Sequence, residues 1–403
     1  MSQYPHYAPA FRIGINGDPL PQSLASSVVS VNYDDGMEGA DRVEVTFANR
    51  DLHFLDHPLL QVDNPFTLAI GYAPDPLEDV FVGEVTGVSP SFPGSGMPTI
   101  KVVAQDFLQR LTHAKSDQAY FVRGPTDNLP LPDALVASIV SAANLLIPYP
   151  DPVGGALSVV MTLGAYANNP GIAQLSVSKQ SSESDFDFVS QLGKQNGWEV
   201  YIDHTMEPRG YVLRFQFLLQ DYRPSLTLRW GQSLMDFSPK LTTVGDVFGV
   251  SARVWVAPIK MEFVIVVGWD FDRATINLAI YPGALDLSKL LGDNAKKTVS
   301  IKTTGFTPAL QKILSELLPR LNNRLTASGS TIGNPAIKAA RVVDMEGLGD
   351  QFSGLYRITE ANHVFDGSGY KTNFKARKEV WFGSLPLPKS PSRLLRVQGQ
   401  PVR

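Results

Sequence analysis

The sequence predicts a mainly β protein with α+β insertions, and three observations carry that prediction. Its 403 residues exceed one typical domain of about 100 to 200 residues, so several units are expected. Glycine and proline occupy 33 and 30 positions, above their usual share, which suits many turns between short strands. Apolar and polar residues alternate with a period of two over several short segments, the pattern of a half-buried strand.

The first unit is expected over 1–111. Phe11-Arg12-Ile13-Gly14-Ile15 stops at the turn signal Asn16-Gly17-Asp18-Pro19. Strands follow at 26–33 and 42–47, the latter with Val43, Val45 and Phe47 on one face, and then at 66–72, 80–88 and 99–104. Six short strands in about a hundred residues predict a compact antiparallel barrel or sandwich. After Asp106 the texture changes, and 112–223 read as a peripheral α+β unit. Residues 132–143 have helical length and spacing, with Pro132 near the first turn. A second helix fits 184–197: Phe186, Phe188, Val189 and Leu192 form its stripe, Ser184 or Asp185 caps it, and Asn196-Gly197 ends it. Residues 198–202 and 211–217 read as a strand pair joined across His204 to Gly210.

A second β unit is expected to begin over 224–256, with strands at 226–230 and 245–256, the latter bent so that Val247, Val250 and Val254 share an interior. Residues 257–335 read as a peripheral insertion with a strand at 263–268, a polar stretch at 286–297 and a helix at 307–323, opened by Thr307-Pro308 and kinked at Pro319. Strands at 340–343, 354–364 and 370–381 place the remainder of the second β unit over 336–382. Pro386, Pro388, Pro391 and Pro401, with several arginines, make 383–403 an extended tail that orders against a partner.

Two distant segments echo one another. Phe81-Val82-Gly83-Glu84-Val85 precedes Gly94-Ser95-Gly96 and a return strand, and Phe352-Ser353-Gly354-Leu355-Tyr356 precedes Gly367-Ser368-Gly369 and another. A duplicated β unit produces this layout, and so does chance similarity of two hairpins. In a trimer, a duplicated unit generates six quasi-equivalent positions.

Composition narrows the function. Thirty-five basic residues against 39 acidic ones, a net charge of −4, predict no direct nucleic-acid contact through bulk electrostatics. The absence of cysteine excludes disulfides, thiolate metal sites and thiol catalysis. No run of 18 apolar residues predicts a membrane-spanning segment, and MSQYPHYAPAF has neither the basic start nor the apolar core of a secretion leader. His53 and His57, with Asp51 and Asp56, lack the fixed helical spacing of a metal motif. His363 lies in an apolar strand and reads as a packed residue, while Glu183, Asp185 and Asp187 read as the acidic start of a helix. Lys296, Lys297, Lys302, Arg320 and Arg324 read as a solvated face. No nucleophile elbow, dinucleotide fingerprint or phosphate loop is present. The expected catalytic, cofactor-binding and metal residues are therefore none, and the protein is expected not to be an enzyme.

Assembled in order, these segments resemble the late control D family of contractile-tail baseplate hubs, similar to the hub portion of type VI secretion spike proteins. The likeness rests on Phe81-Val82-Gly83-Glu84-Val85 leading to Val102-Val103-Ala104-Gln105-Asp106-Phe107-Leu108-Gln109-Arg110-Leu111. It continues in Val177-Ser178-Lys179-Gln180-Ser181 followed by the Ser184 helix and Gly197-Trp198-Glu199-Val200. It closes on Gly347-Leu348-Gly349, the Phe352 strand, His363 and Gly369-Tyr370-Lys371-Thr372-Asn373-Phe374. The resemblance implies a homotrimer with two tube-like antiparallel β-barrels per subunit, adapting a hexameric inner tube protein to a trimeric spike protein, with baseplate wedge proteins alongside. It implies a structural virion component of a phage tail or contractile injection system, assembled in the bacterial cytoplasm and working at the baseplate, with no cofactor. The hairpins at 80–104 and 354–374 are the expected ring-building elements. A tail-tube or distal-tail component of a non-contractile phage remains open, as do a carbohydrate-binding adhesin and a cell-wall hydrolase.

Overall fold

The computed structural model describes residues 8–113, 115–123, 128–168, 178–217, 223–242, 249–256, 261–270, 275–282, 298–303, 316, 319 and 322–379. The helix expected at 307–323 and the tail at 383–403 lie outside the described residues, apart from isolated positions of the former. Among the described residues no helix is long and apolar enough to cross a membrane.

The first unit comprises β1 (Ala8–Ile15), β2 (Asp18–Pro19), β3 (Val28–Gly36), β4 (Arg42–Ala48), β5 (Pro65–Ala73), β6 (Glu78–Ser91) and β7 (Thr99–Gln105). The alternation in β4 is realised: Val43, Val45 and Phe47 are all fully buried. They join Ile13, Val31, Phe66, Phe81 and Val102 in one core, which Phe365 and Tyr370 from the far end of the chain complete. Gly83 permits the close approach of β6 to β7, because a Cβ there would stand 2.1 Å from the Gln105 carbonyl oxygen.

The middle unit contains β8 (Lys115–Arg123), β9 (Asn128–Pro130), α1 (Asp133–Ala143), β10 (Ile147–Pro150), α2 (Pro152–Asn168), β11 (Ser178–Ser184), α3 (Asp185–Asn196), β12 (Trp198–Ile202) and β13 (Val212–Phe217). Helix α3 starts where Ser184 Oγ accepts the Asp187 N–H at 3.0 Å and ends at Gly197 in the left-handed conformation (φ 70°). The expected pair β12 and β13 is antiparallel, and β10 adds to β13 in parallel. Phe188, Val189 and Leu192 of α3 pack with Val136 and Val140 of α1 on Leu213, Phe215 and Phe217 of this sheet. Helix α2 was not foreseen.

Next come β14 (Leu226–Arg229), β15 (Asp236–Leu241), β16 (Gly249–Val256), β17 (Met261–Asp270), β18 (Thr275–Pro282), β19 (Thr298–Thr303), β20 (Leu325–Ile332), β21 (Val342–Glu346), β22 (Gly354–Asp366) and β23 (Gly369–Arg377). One expectation is corrected here. The strand anticipated at 245–256 as part of the second β unit is β16, which belongs to a separate four-stranded sheet, β18-β17-β16-β19. Successive apolar strands close short hairpins at low entropic cost, so β16 pairs with its neighbour β17 rather than with distant partners.

The remaining strands reveal a duplication. The first half of the large sheet runs β3-β4-β7-β6-β5-β1, and the second runs β15-β20-β23-β22 with β21 and β14 continuing from β22. Numbered by their order along the chain, both halves follow the same permutation. Both also carry a bulge in the first strand of the closing hairpin, between Val85 and Gly87 and between Ile358 and Glu360. Aligning the bulges equates Thr86 with Thr359, so the two Phe-x-Gly phrases sit two residues out of register although their hairpins correspond. The halves differ at one end: β1 pairs β5 antiparallel, whereas β14 pairs β21 in parallel.

The expectation of two separate barrels is also modified. The halves fuse into one 13-stranded sheet through β3 and β22, and no pairing between its end strands closes it among the described residues. The bulge in β22 explains the fusion: residues 354–357 pair with β21, and beyond the bend 360–365 pair with β3.

Candidate functional site

The three units meet around a cleft of roughly 460 Å³, counted to its open mouth, lined by Tyr33, Asp35 and Val80 of the first unit, Tyr201 to Thr205 and Arg214 of the middle unit, and Lys338 to Arg341 of the second. His204 of this lining clusters with Asp41 and Asp106 behind it, all three buried. Asp41 precedes β4, where its Oδ1 accepts the Gly36 N–H at 2.9 Å. Asp106 follows β7 and caps a short 3-10 helix, accepting the Leu108 N–H at 3.0 Å. His204 lies in the turn after β12, brought against the first unit partly because Gly210, at φ 81°, lets the backbone approach Val82.

His204 Nε2 stands 3.3 Å from Asp41 Oδ2 and 3.9 Å from Asp106 Oδ2. By distance alone a divalent cation fits between such atoms. The second ring nitrogen argues otherwise, because Nδ1 accepts the Val82 N–H at 3.3 Å. A metal-ligating imidazole normally donates from its second nitrogen; here the proton of a neutral ring must sit on Nε2, facing the carboxylates. Nε2 itself lies near the two carboxylates without hydrogen-bond geometry to either, so the contact is one of proximity and charge. Burial, and then the Asp41 charge, push the Asp106 carboxyl well above the usual range. Burial likewise pushes Asp35 up to about 8, with Asp41 adding to the shift and the Ala339 N–H, 2.9 Å from its Oδ2, opposing it. Tyr33, whose hydroxyl is 3.3 Å from Asp41 Oδ2, has its pKa raised by burial and by these acids.

A second polar cluster ties the middle unit to the other half. Arg377 reaches Glu199 of β12 at 2.7 Å and Glu379 at 3.1 Å, while Arg357 Nε meets Glu379 at 2.7 Å. Arg357 also donates to the Ala340 carbonyl at 2.9 Å. The two clusters hold the peripheral unit against both halves of the sheet.

Other histidines and acids have structural settings. His363 is fully buried; its Nε2 faces the Ile337 carbonyl at 3.0 Å and must donate, leaving Nδ1 to accept from Tyr370 at 2.8 Å. Burial lowers its pKa to about 4. His57 Nδ1 accepts the Leu59 N–H at 3.3 Å, and the His53 and His57 rings both pack on Phe54. Asp185 accepts from Ser116, Asn144 and Gln180. Lys296, Lys297 and Arg320 lie outside the described residues. The expected hairpins, β6 with β7 and β22 with β23, stand side by side with β3 and β4 between them.

A family model described as the Alg8 N-terminal domain matches residues 172–366. That is slightly under half of the chain; it starts inside the middle unit and ends between β22 and β23, splitting a paired hairpin, so it corresponds to no unit of the fold. Comparison with curated protein sequences finds no match. Among solved structures, the 43 kDa tail protein of prophage MuSo2 from Shewanella oneidensis is similar with a TM-score of 0.58 and 12% identity, covering 92% of this chain and 98% of that one. A tail protein from Neisseria meningitidis gives 0.58 and 10%, with 94% and 100% covered. The E. coli c3393 protein gives 0.54 and 12%, with 93% and 79% covered; it is described as a type VI secretion component with structural similarity to the T4 tail proteins gp27 and gp5. Such identities speak to architecture alone, and at that level the agreement spans nearly the whole chain: the fold is that of phage tail proteins and of a type VI secretion component, as the order of segments in the sequence predicted.

Proposed function

We propose that the protein is a non-enzymatic baseplate hub of a contractile phage tail or injection system, a homotrimer that adapts a hexameric inner tube to a trimeric spike, with wedge proteins around it. The two halves of the large sheet act as its tube-like barrels, with 112–223 and the separate sheet of β16, β17, β18 and β19 as peripheral units; the peripheral insertion expected over 257–335 stops short of β20, which belongs to the large sheet.

One observation carries this reading: the β3 and β22 seam joins two copies of a single strand order. The equivalent edges in the other direction are residues 87–91 of β6 and strand β15, and neither edge has a strand partner among the described residues. Repeating the seam between chains, β15 of one copy beside β6 of the next, makes a heterologous contact that closes when three copies supply six halves. Pro90 and Pro239 lie on these two strands, where proline discourages indiscriminate edge pairing. The role is accordingly one of load transfer, and the implied setting is the baseplate, after assembly in the bacterial cytoplasm.

Mass photometry of the purified chain, alone and with the inner-tube and spike proteins of its source, tests the reading. A threefold ring near three times 44.0 kDa that gains mass with tube or spike is expected. A monomer that ignores both sinks the proposal.

A further inference from the structure

Tyr33 of β3 and His363 of β22 stand opposite one another in the middle of the seam within the chain. Printed on the neighbouring strands is the direction of their backbone groups, because successive residues of a strand point these groups to opposite sides. Asp106 N–H donates to the Asp41 carbonyl at 3.1 Å, and Ala48 N–H donates to the Ser27 carbonyl at 2.7 Å. The odd residues of β4 therefore face β7, and its even residues face the even residues of β3. Val31, Tyr33 and Asp35 are left facing β22. Tyr33 and His363 thus form a bonded pair of the ladder, in which each N–H meets the other's carbonyl.

The duplication carries this pair to the two edges that have no strand partner among the described residues. Equating Thr86 with Thr359 at the bulges equates Pro90 with His363. Followed across the ladders, Lys101 and Thr46 match Asn373 and Ser330, so Ser30 matches Asp236 and Tyr33 matches Pro239. Both positions of the bonded pair are proline, and both point outward. Asn49 N–H donates to the Pro98 carbonyl at 2.8 Å, which turns the odd residues of β7 towards Ser89 and Ser91 and leaves Val88 and Pro90 on the open side. Thr242 N–H donates to the Arg324 carbonyl at 2.9 Å, which turns Ser238 and Lys240 towards β20 and leaves Phe237, Pro239 and Leu241 on the open side. The side chains agree with this match. Val88 packs on the first core and Phe237 and Leu241 on the second, whereas Ser89, Ser91, Ser238 and Lys240 are exposed. Phe92, just past β6 and 60% exposed, falls opposite Phe237.

We propose that the joint between copies repeats the seam in the register Val88–Leu241, Ser89–Lys240, Pro90–Pro239 and Ser91–Ser238, with the central pair of backbone hydrogen bonds missing. Proline keeps its carbonyl and has no N–H to give. Apolar contact of Val88 with Leu241 and of Phe92 with Phe237 holds the joint on either side of the gap. The ring alternates continuous seams within chains and interrupted ones between them, and it parts at the interrupted ones. A foreign strand finds no donor at the centre of either edge, while the matching edge brings its own apolar face. The inference rests on the trimeric reading and adds the register of the joint and the place where it is weak.

The chain contains no cysteine, so Ser89→Cys with Lys240→Cys introduces its only thiols. Opposite residues outside a bonded pair stand about 4.5 Å apart at Cα, within reach of a disulfide. Oxidation of the assembled protein is expected to link chains into covalent dimers and trimers. Ser91→Cys with Lys240→Cys, diagonal at about 7–8 Å, is expected to stay unlinked. Pro90→Val with Pro239→Val supplies the missing donors and is expected to lower the concentration at which the assembly half-dissociates by about 10-fold or more. The amides introduced at positions 90 and 239 should exchange hydrogen slowly in the assembly and fast in the monomer. The thiol pair leaves both prolines in place, so it reads the register even where the proline variant aggregates. A trimer in which the matched thiols do not link overturns the inference and leaves the hub reading standing. Linking without tighter assembly and without slow exchange at positions 90 and 239 shows that the prolines occupy no bonding position, and likewise overturns it. A chain that stays monomeric with tube and spike present removes both.

Discussion

Acid should loosen the seam between the two halves of the sheet through His363. The residue sits on β22 opposite Tyr33 of β3, its ring stacked 5.7 Å from the tyrosine at 15°, with Tyr370, Thr372 and the Ile337 carbonyl filling its hydrogen-bonding positions. Its pKa is about 4 in the folded protein against 6.5 for the free side chain. The unfolded chain therefore takes up a proton below pH 6.5 that the folded chain refuses until about pH 4. Stability from this residue is complete at pH 7, declines as the pH falls through that window, and levels off below it. Linkage gives a loss of about 2 kcal/mol between pH 7 and pH 5. His363→Gln retains an amide N–H for the Ile337 carbonyl and cannot titrate. Urea unfolding of both proteins at pH 7 and pH 5 isolates the effect, because every other titrating group is common to them. The wild type should lose about 2 kcal/mol more than the variant over that interval. Equal losses would refute the argument, whatever the variant's stability at pH 7.

Asp35 should behave in the opposite sense. With its folded pKa raised to about 8, stability is greatest in acid and falls as the pH rises from about 4 towards 8. Asp35→Asn should then be more stable than wild type at pH 8.5 by on the order of 2–3 kcal/mol, less than the full shift because water reaches part of the group, with no such gain near pH 4. Thermal unfolding at both pH values decides it. Gly83→Ala forces a methyl group onto the Gln105 carbonyl oxygen and should cost roughly 2 kcal/mol or more, read as a lower denaturant midpoint. Arg357→Met leaves the buried Glu379 to its ion pair with Arg377 and should destabilise by roughly 3 kcal/mol, whereas a loss below about 1 kcal/mol would show that Arg377 compensates.

What sequence reasoning could see depended on how far apart the interacting residues lie. Period-two alternation placed Val43, Val45 and Phe47 on a single buried face, and capping chemistry marked both ends of α3 at Ser184 and Gly197. The echo found the right pair of hairpins but aligned them on glycines rather than on their bulges, which only the ladder reveals. Helix α2 escaped because Gly154-Gly155 reads as a breaker and because a helix apolar on its outer face lacks the usual periodic contrast. The cluster of Asp41, Asp106 and His204 had no spacing to betray it, since its members come from three loops far apart in the chain. One local signal existed: an aspartate directly after a strand and before Phe107-Leu108, which reads as a cap. The partner histidine is set by tertiary packing alone.

The seam between β3 and β22 also constrains how the protein can be made. Asn362 reaches Asn32 across 330 residues of chain. At roughly 5–20 residues per second, β3 emerges from the ribosome tens of seconds before its partner strand exists. For that interval the first half holds an open strand edge, and its core lacks Phe365 and Tyr370. The period of greatest exposure to misassembly thus falls during synthesis, and it ends only when the last two strands arrive.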